Sequence, residues 1–496
     1  MSNNTSATTP INTAVSPYSN IKGGKVKPYV LQCGPGYQWS YTLNKCVPIL
    51  CPPGSHLEGS LCVLDNPPVL DPPPPAPDAH IPAGNIYVFD TNLPSIGNGS
   101  SLGLRKVKVI AKRWFKIQTT YTDASGHFTF TKHFKNKVKI KEQFINPDAT
   151  IFALRRLNIW QIAHPVKRTL GIYNSSDMSN IQFPNNQEGP VNSKANRYWA
   201  AATVENAAEE HLDYATQFGF SKMPSNMHIF LTPWAIQAGA GSTPMFGHGV
   251  APEISGEAAF AEYYLMSQFR FTPALTAAVA SIAFRLGIDM SIDYNPPSWR
   301  DQFYSDYLKE LSYHEMSHAS DFSKVGLVWY QNFASAELSE TIIHGASNDP
   351  LNPYGDANSV DAPIIALGEA WTYHMGHFLA DQQYGLNAYN EYEGQLGYGH
   401  TPNAHTNIEV LENWDPNYTD DVFNWIPVGL MEDLMDDTPN EIFPVTDNVS
   451  GFSVSQLFDA LQPDVTSVQQ YRARLIQQNP NNQTANITSL FAQYHY

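Results

Sequence analysis

The residues of this 496-residue chain best suited to chemistry lie in SYHEMSHASDF, positions 312–322, where His314 and His318 stand four apart and Glu315 follows the first. On an α-helix, residues i and i+4 project from one face a turn apart. His314 and His318 can therefore offer two imidazole nitrogens to one Zn²⁺ without distorting the backbone. Glu315 projects about 100° further round the helix, beside such a metal and not onto it. There it can take a proton from an attacking water. The bland alternative is a helix with scattered polar residues. Leu308, Leu311, Met316 and Ala319 surround the polar stripe, which predicts a partly buried helix. Buried histidines next to a glutamate are costly unless something satisfies them.

A catalytic zinc site needs a third protein ligand and one open position. Glu337 and Glu340 lie 19 and 22 residues after His318 in SAELSETIIHG, and Glu369 lies 51 after it in ALGEAWTYHMG. Asp321, three residues beyond His318, is better placed to orient an imidazole than to bind metal. Peptide cleavage also needs a donor for the developing oxyanion. Tyr373 and His374 follow Glu369 on the same predicted helix, and His400 and His405 lie in the GYGHTPNAHTN loop. His228, His248, His344 and His377 read as structural. The acidic MEDLMDD run (431–437) lacks the alternating spacing of a calcium loop and reads as a helix end or packing motif.

The order strand, HExxH helix, second helix with a glutamate is similar to the gluzincin metallopeptidases, the group that includes thermolysin and neprilysin. HEMSHASDFSKVG, NPYGDANSVD, LGEAWTYHMG and PVGLMEDLMDD together resemble uncharacterised secreted zincin-like proteins of Bacteroidetes, over roughly 300–440. The resemblance implies Glu369 as third ligand, with Glu337 as its rival. It brings no substrate knowledge.

The elements that must position these residues follow from patterning. NSKANRYWAAATVENAAEEHLDYATQFGF, from 192, carries helical spacing between an Asn/Ser start and Gly219; NMHIFLTPWA and DMSIDY read as strands; SDYLKELSYHEMSHASDFSKVG reads as a helix closing at Gly326. Upstream, NIYVFDT, LRKVKVIAKRWF, IQTTYTDASGHFTFTKHF and KVKIKEQF alternate in period two, predicting a small all-β domain over 85–145. LRKVKVIAKRW…TTYTDASGHFTF resembles carboxypeptidase regulatory-like β-sandwich repeats, with Leu104 and Arg105 standing where a Pro or Gly is usual. Attachment or stabilisation is the implied role.

The four cysteines fall in two similar units, CGPGYQWSYTLNKCVP and CPPGSHLEGSLCV. Pairing within each unit, Cys33–Cys46 and Cys51–Cys62, closes a small hairpin-like loop and suits Pro-Gly turns; the other connectivities and a four-cysteine zinc site stay open. Disulfides imply an extracytoplasmic or secreted location, although no basic region followed by an apolar one is visible at the start of the chain. NPPVLDPPPPAPDAHIPAG (66–84) is a stiff spacer.

The expected organisation is a disordered leader over 1–25, a cysteine-rich double repeat over 26–65, the proline linker over 66–84, a β-sandwich over 85–145, a connecting region over 146–191 and a zincin-like catalytic domain over 192–496. The expected fold class is multidomain: a disulfide-rich repeat, a small all-β sandwich, then a mostly helical α+β metallopeptidase domain. With 29 Lys+Arg against 46 Asp+Glu, the net charge of −17 argues against nucleic acid or an anionic membrane as main partner. The single basic patch, Lys106 to Lys141, reads as a solvated sheet face. No stretch is long and apolar enough to span a membrane; 273–288 comes closest and is broken by Arg285. The expected function is a zinc-dependent peptidase acting on protein or peptide, with possible attachment to a cell surface or glycan through the N-terminal modules. The alternative is a non-catalytic surface-binding or adhesion protein on a zincin scaffold.

Overall fold

The computed structural model of the chain describes four short strands within 37–64, and residues 80–92, 101–155, 159–174, 178–185, 193–233, 241–250, 285–294, 305–346, 354–384, 425–436, 448–479 and 483–496, with 191, 411 and 445. The chain forms two compact units that divide between Pro77 and Asp78, inside the proline-rich stretch. In the first unit each cysteine repeat folds as an antiparallel hairpin: β1 (Tyr37–Ser40) with β2 (Lys45–Pro48), and β3 (Ser55–Glu58) with β4 (Leu61–Leu64). The expected Cys33–Cys46 and Cys51–Cys62 pairings, like the disordered leader over 1–25, lie outside the described residues.

The second unit is mixed α and β, with several sheets and a helical C-terminal region. An antiparallel sheet runs in the order β12 (Lys167–Tyr173), β10 (Val138–Gln143), β7 (Lys108–Arg113), β8 (Lys116–Tyr121). A second sheet is built on β5 (Ala83–Phe89), which pairs with β13 (Ile181–Asn185), β6 (Ser101–Gly103) and β9 (His127–Thr129). The third sheet joins β11 (Ala149–Ala153), β14 (Met227–Thr232) and β16 (Met290–Asp293) in parallel, with β15 (Gly241–Ser242) antiparallel at its edge. In this third sheet β14 and β16 are buried almost throughout, as parallel strands covered on both faces must be.

Two expected boundaries give way here. The connecting region, 146–191, contains β11, β12, β13 and the short α1 (Ile159–Ile162). β12 and β13 extend the β-rich sheets, while β11 joins the sheet of β14 and β16. β12 and β13 are edge strands with mostly exposed or half-buried side chains, and β13 carries Pro184, a residue confined to such positions because it cannot donate to a ladder. An edge strand therefore shows little apolar alternation. Nor do 85–145 and 192–496 stand apart, since both belong to one unit and contribute to one continuous core.

Helix α2 (Lys194–Phe218) joins the two parts. It starts at an N-cap, Ser193, whose hydroxyl accepts from Asn196 N, and stops at Gly219. On one side Trp199 Nε1 donates to Phe89 O at 2.9 Å, and Asn206 exchanges bonds with Gly103 O and Arg105 N, both 2.9 Å. On the other side Glu210 accepts from Lys309 Nζ at 2.8 Å and Tyr313 OH at 2.6 Å, both on α3 (Ser305–Val325). A buried ion pair such as Glu210–Lys309 fixes register well, because removing one partner strands a charge. Then follow α4 (Leu327–Ala346), α5 (Ala362–Tyr384), the single turn α6 (Leu430–Asp433), α7 (Val454–Ala460), α8 (Val468–Gln478) and α9 (Thr484–Gln493). No helix among the described residues is long and apolar enough to cross a membrane.

Candidate metal centre

The HExxH segment occupies the middle of α3, with Leu308, Met316 and Ala319 fully buried. Burial of Leu308 and of Met316 contributes about 1.5–3 kcal/mol each, which anchors the polar stripe between them. α5 packs closely against this stripe. The close approach is made at Gly376, where a Cβ would stand 3.1 Å from His314 Cβ and 3.2 Å from Glu310 O. At the same depth, Glu369, Thr372 and Tyr373 are spaced i, i+3, i+4 on α5 and meet the α3 histidines.

His314 Nε2 lies 3.6 Å from Glu369 Oε2, and His318 Nε2 lies 3.3 Å from Glu369 Oε1. One donor atom from each of the three residues lies within 4.8 Å of the other two, and all three residues are buried. No other such group of three is found among the described residues. Zinc–ligand bonds near 2.0–2.2 Å in a tetrahedron put donors roughly 3.4 Å apart, between the two distances observed. Glu369 Oε2 is buried and has no hydrogen-bond partner. Burial holds His314 well below the usual imidazole range, with His318 and His377 adding like charge, and burial likewise lowers His318. Both are thus neutral, the state a ligating imidazole needs. Burial pushes Glu369 up to about 7, against hydrogen bonds from Glu337 and Tyr354. Neutral nitrogen donors and an orphaned carboxylate oxygen fit a divalent cation such as zinc.

Glu315 sits beside this cluster. Thr243 Oγ1 donates toward Glu315 Oε2 at 2.8 Å and lies 2.9 Å from its backbone carbonyl. β15 runs so close that a Cβ on Gly241 would fall 2.2 Å from Glu315 Oε1, so glycine there is a packing requirement. Burial pushes Glu315 up to about 8, with Glu369 and Glu337 adding to it, while His318 and Thr243 act to lower it. Tyr373 packs its ring edge-on to His314, centroids 4.6 Å apart, and shares a hydrogen bond with Tyr354.

Of the residues singled out from sequence, His314, Glu315, His318, Glu369 and Tyr373 come together. Glu337 arrives as well, hydrogen-bonded to Glu369; burial and that neighbouring carboxylate push it well above the usual range. His374 does not join them. It projects about 140° round α5 from Glu369, fully buried, with Nδ1 3.6 Å from Glu432 Oε2 and its ring stacked on Phe378. A donor for a developing oxyanion cannot serve from there. Asp321 is also not an orienter: both its carboxylate oxygens are buried with no hydrogen-bond partner. Thr372 Oγ1 lies 3.3 Å from His318 Nε2, the nitrogen that also faces Glu369, and so borders the donor cluster without orienting the ring through its other nitrogen.

His228, His248 and His377 take structural partners: Leu286 O, Asp289 and Glu310. Glu340 supports the turn that leads into α5, accepting from Ser359 Oγ at 2.9 Å. In MEDLMDD, Asp433 Oδ2 accepts from Tyr494 OH at 2.7 Å, a packing role. His400 and His405 lie outside the described residues, as does the side chain of His344. Sequence reasoning missed Gly241, Thr243, Tyr354 and Thr372. Tyr354 carried a signal, since it stands in NPYGD; the other three sit at positions where only contact in three dimensions gives them a task.

No protein-family model matches the sequence, and no curated protein matches it.

Proposed function

We propose that this chain is a zinc-dependent peptidase in which His314, His318 and Glu369 hold the metal and Glu315 is the general base. The observation that carries the reading is the convergence of three buried donors with a fourth group, the Glu315 carboxylate, held beside them by Thr243. A purely structural metal site has no use for that fourth group. When bound, the ion supplies Lewis acidity to the scissile carbonyl and to water.

Glu315 takes a proton from the attacking water and returns it to the leaving amine, one carboxylate serving both halves of the reaction. Thr243 fixes its Oε2, so the base is already aimed when substrate arrives. Tyr373, against His314 and within the Tyr354 hydrogen bond, is the donor proposed for the developing oxyanion. Glu337 shares a proton with Glu369 and spreads the charge of the third ligand. The substrate is a protein or peptide, and the cysteine repeats support action outside the cytosol.

The test compares the purified wild-type chain with Glu315→Gln on a mixture of unfolded proteins, with metal content measured on both. Cleavage by the wild type, reduced roughly 10²–10⁴-fold in the variant while both retain zinc, is the expected result. Equal cleavage by both rules out the assigned base. Zinc without cleavage in the wild type favours the non-catalytic scaffold.

A further inference from the structure

The acidic balance of the chain is unevenly spread. Residues 105–141 hold eleven Lys and Arg against one acidic residue, Asp123, within a chain of net charge −17. Register gathers part of this charge on one sheet face. Opposed residues on antiparallel strands share a face, so Ile117, Lys112, Lys139 and Ile172 form one row across β8, β7, β10 and β12. Two residues along the strands, Lys141 stands on the same face. Burial lowers the Lys141 ammonium, and the like charges of Lys167, Lys139 and Lys112 lower it further. Among the described residues none of these four lysines, nor Arg113, has a carboxylate partner, whereas Lys106, Lys309 and Lys324 each do.

Beside this row, the β7–β8 turn carries Trp114 and Phe115, 82% and 98% exposed. Ile117 and Ile172 are 51% and 65% exposed on the row itself. Trp114 holds φ 50°, a left-handed conformation that hairpin turns normally give to Asn or Gly. Two large rings are thus kept in solvent, and at Trp114 a small polar residue would be less strained.

We propose that this hairpin tip and lysine face dock on an anionic lipid surface, with Trp114 and Phe115 entering the headgroup boundary and Lys112, Arg113, Lys139, Lys141 and Lys167 facing lipid phosphates and carboxylates. Charge complementarity selects an anionic partner. The exposed apolar side chains select a lipid one: Trp114 and Phe115 at the turn, with the aliphatic Ile117 and Ile172 flanking the cations of the row, suit an acyl boundary, where a polyanion offers them nothing. Docking of this kind is peripheral and reversible, and it holds the peptidase centre near a membrane without a spanning helix.

The test is co-sedimentation of the full chain with vesicles of phosphatidylcholine alone and with about one-quarter phosphatidylserine. The chain is expected to sediment with the anionic vesicles only, and less as salt rises. Trp114→Ser with Phe115→Ser, and separately Lys112→Glu with Lys139→Glu, should each lower the partition coefficient roughly tenfold or more. These side chains are exposed or half-exposed, so the melting temperature of each variant should match the wild type. Equal binding to neutral vesicles, no binding to either, or binding unmoved by both variants overturns the proposal. Retention on heparin or single-stranded DNA without retention on vesicles overturns it too and assigns the face to a polyanion.

Discussion

Helix α5 presents histidine chemistry on two faces, and only one has the makings of a reaction centre. On the first, Glu369, Thr372 and Tyr373 meet His314 and His318, and the donors converge within 4.8 Å. On the second, His374 meets one carboxylate, Glu432 at 3.6 Å, between the rings of Trp371 and Phe378. Burial lowers the imidazoles on both faces and drives His374 down to about 3. What differs is convergence. Three donors aimed at one point leave room for a cation; a ring clamped among aromatics leaves none. A buried histidine with a shifted pKa is therefore not by itself a functional residue.

The comparison can be broken most forcefully on its aromatic side. Trp371 is fully buried and packs on Phe458 at 5.2 Å, so Trp371→Ala should cost about 3–5 kcal/mol in denaturant unfolding while zinc per folded chain stays unchanged. On the donor side, chelation should lower the stability of the wild type by about 4 kcal/mol from that measured at free zinc near 1,000 times Kd. Glu369→Gln should show no such dependence on chelator. Thr243→Ala removes the hydrogen bond to Glu315 without touching a ligand. Activity should fall roughly ten- to a hundredfold, since bonds to charged groups contribute about 1.5–3 kcal/mol, with zinc retained; equal loss of zinc would show that Thr243 supports the ligands instead. His374→Phe should cost less than about 1.5 kcal/mol and leave activity unchanged, because neither ring nitrogen makes a hydrogen bond.

The smallest effect comes from a histidine on neither face. His248 places Nδ1 3.0 Å from Asp289 Oδ1 and Nε2 3.1 Å from Ser225 O, with Phe322 across its ring. Only an imidazolium donates to both acceptors. The Asp289 hydrogen bond holds its pKa above the ordinary 6.5, so its stabilisation is full below that value and lost as pH rises through the folded-state pKa. His248→Gln should flatten that part of the stability–pH curve, by under about 1 kcal/mol because the site is partly exposed. Thermal melts from pH 5 to 9 read it directly.

The candidate site was legible where spacing along one helix is enough. His314, Glu315 and His318 follow from i, i+4 geometry, whereas Glu369 came only as the third ligand that the resemblance implied, with Glu337 as its rival. Ser193, Gly219 and Gly326 marked helix ends because caps act locally. His374 misled because a sequence places neighbours on an element without saying which face another helix will cover. Asp321 misled as well: it lies on α3, but its buried carboxylate has no hydrogen-bond partner. Thr243 and Gly241 were invisible, being some 70 residues from Glu315 along the chain. β12 and β13 escaped because edge strands expose their side chains, whereas the lysines of β7 and β10 do lie on a solvent-facing side of the sheet, as the sequence suggested.

The most direct test is zinc stoichiometry and affinity for three chains: wild type, Glu369→Gln and Glu432→Gln, prepared apo and titrated with zinc by calorimetry. One tight zinc per chain in the wild type and in Glu432→Gln, with affinity lowered at least roughly a hundredfold in Glu369→Gln, is the predicted result. A wild type that binds no zinc, or a loss that follows Glu432 in place of Glu369, would contradict the assignment of the metal to the α3–α5 face.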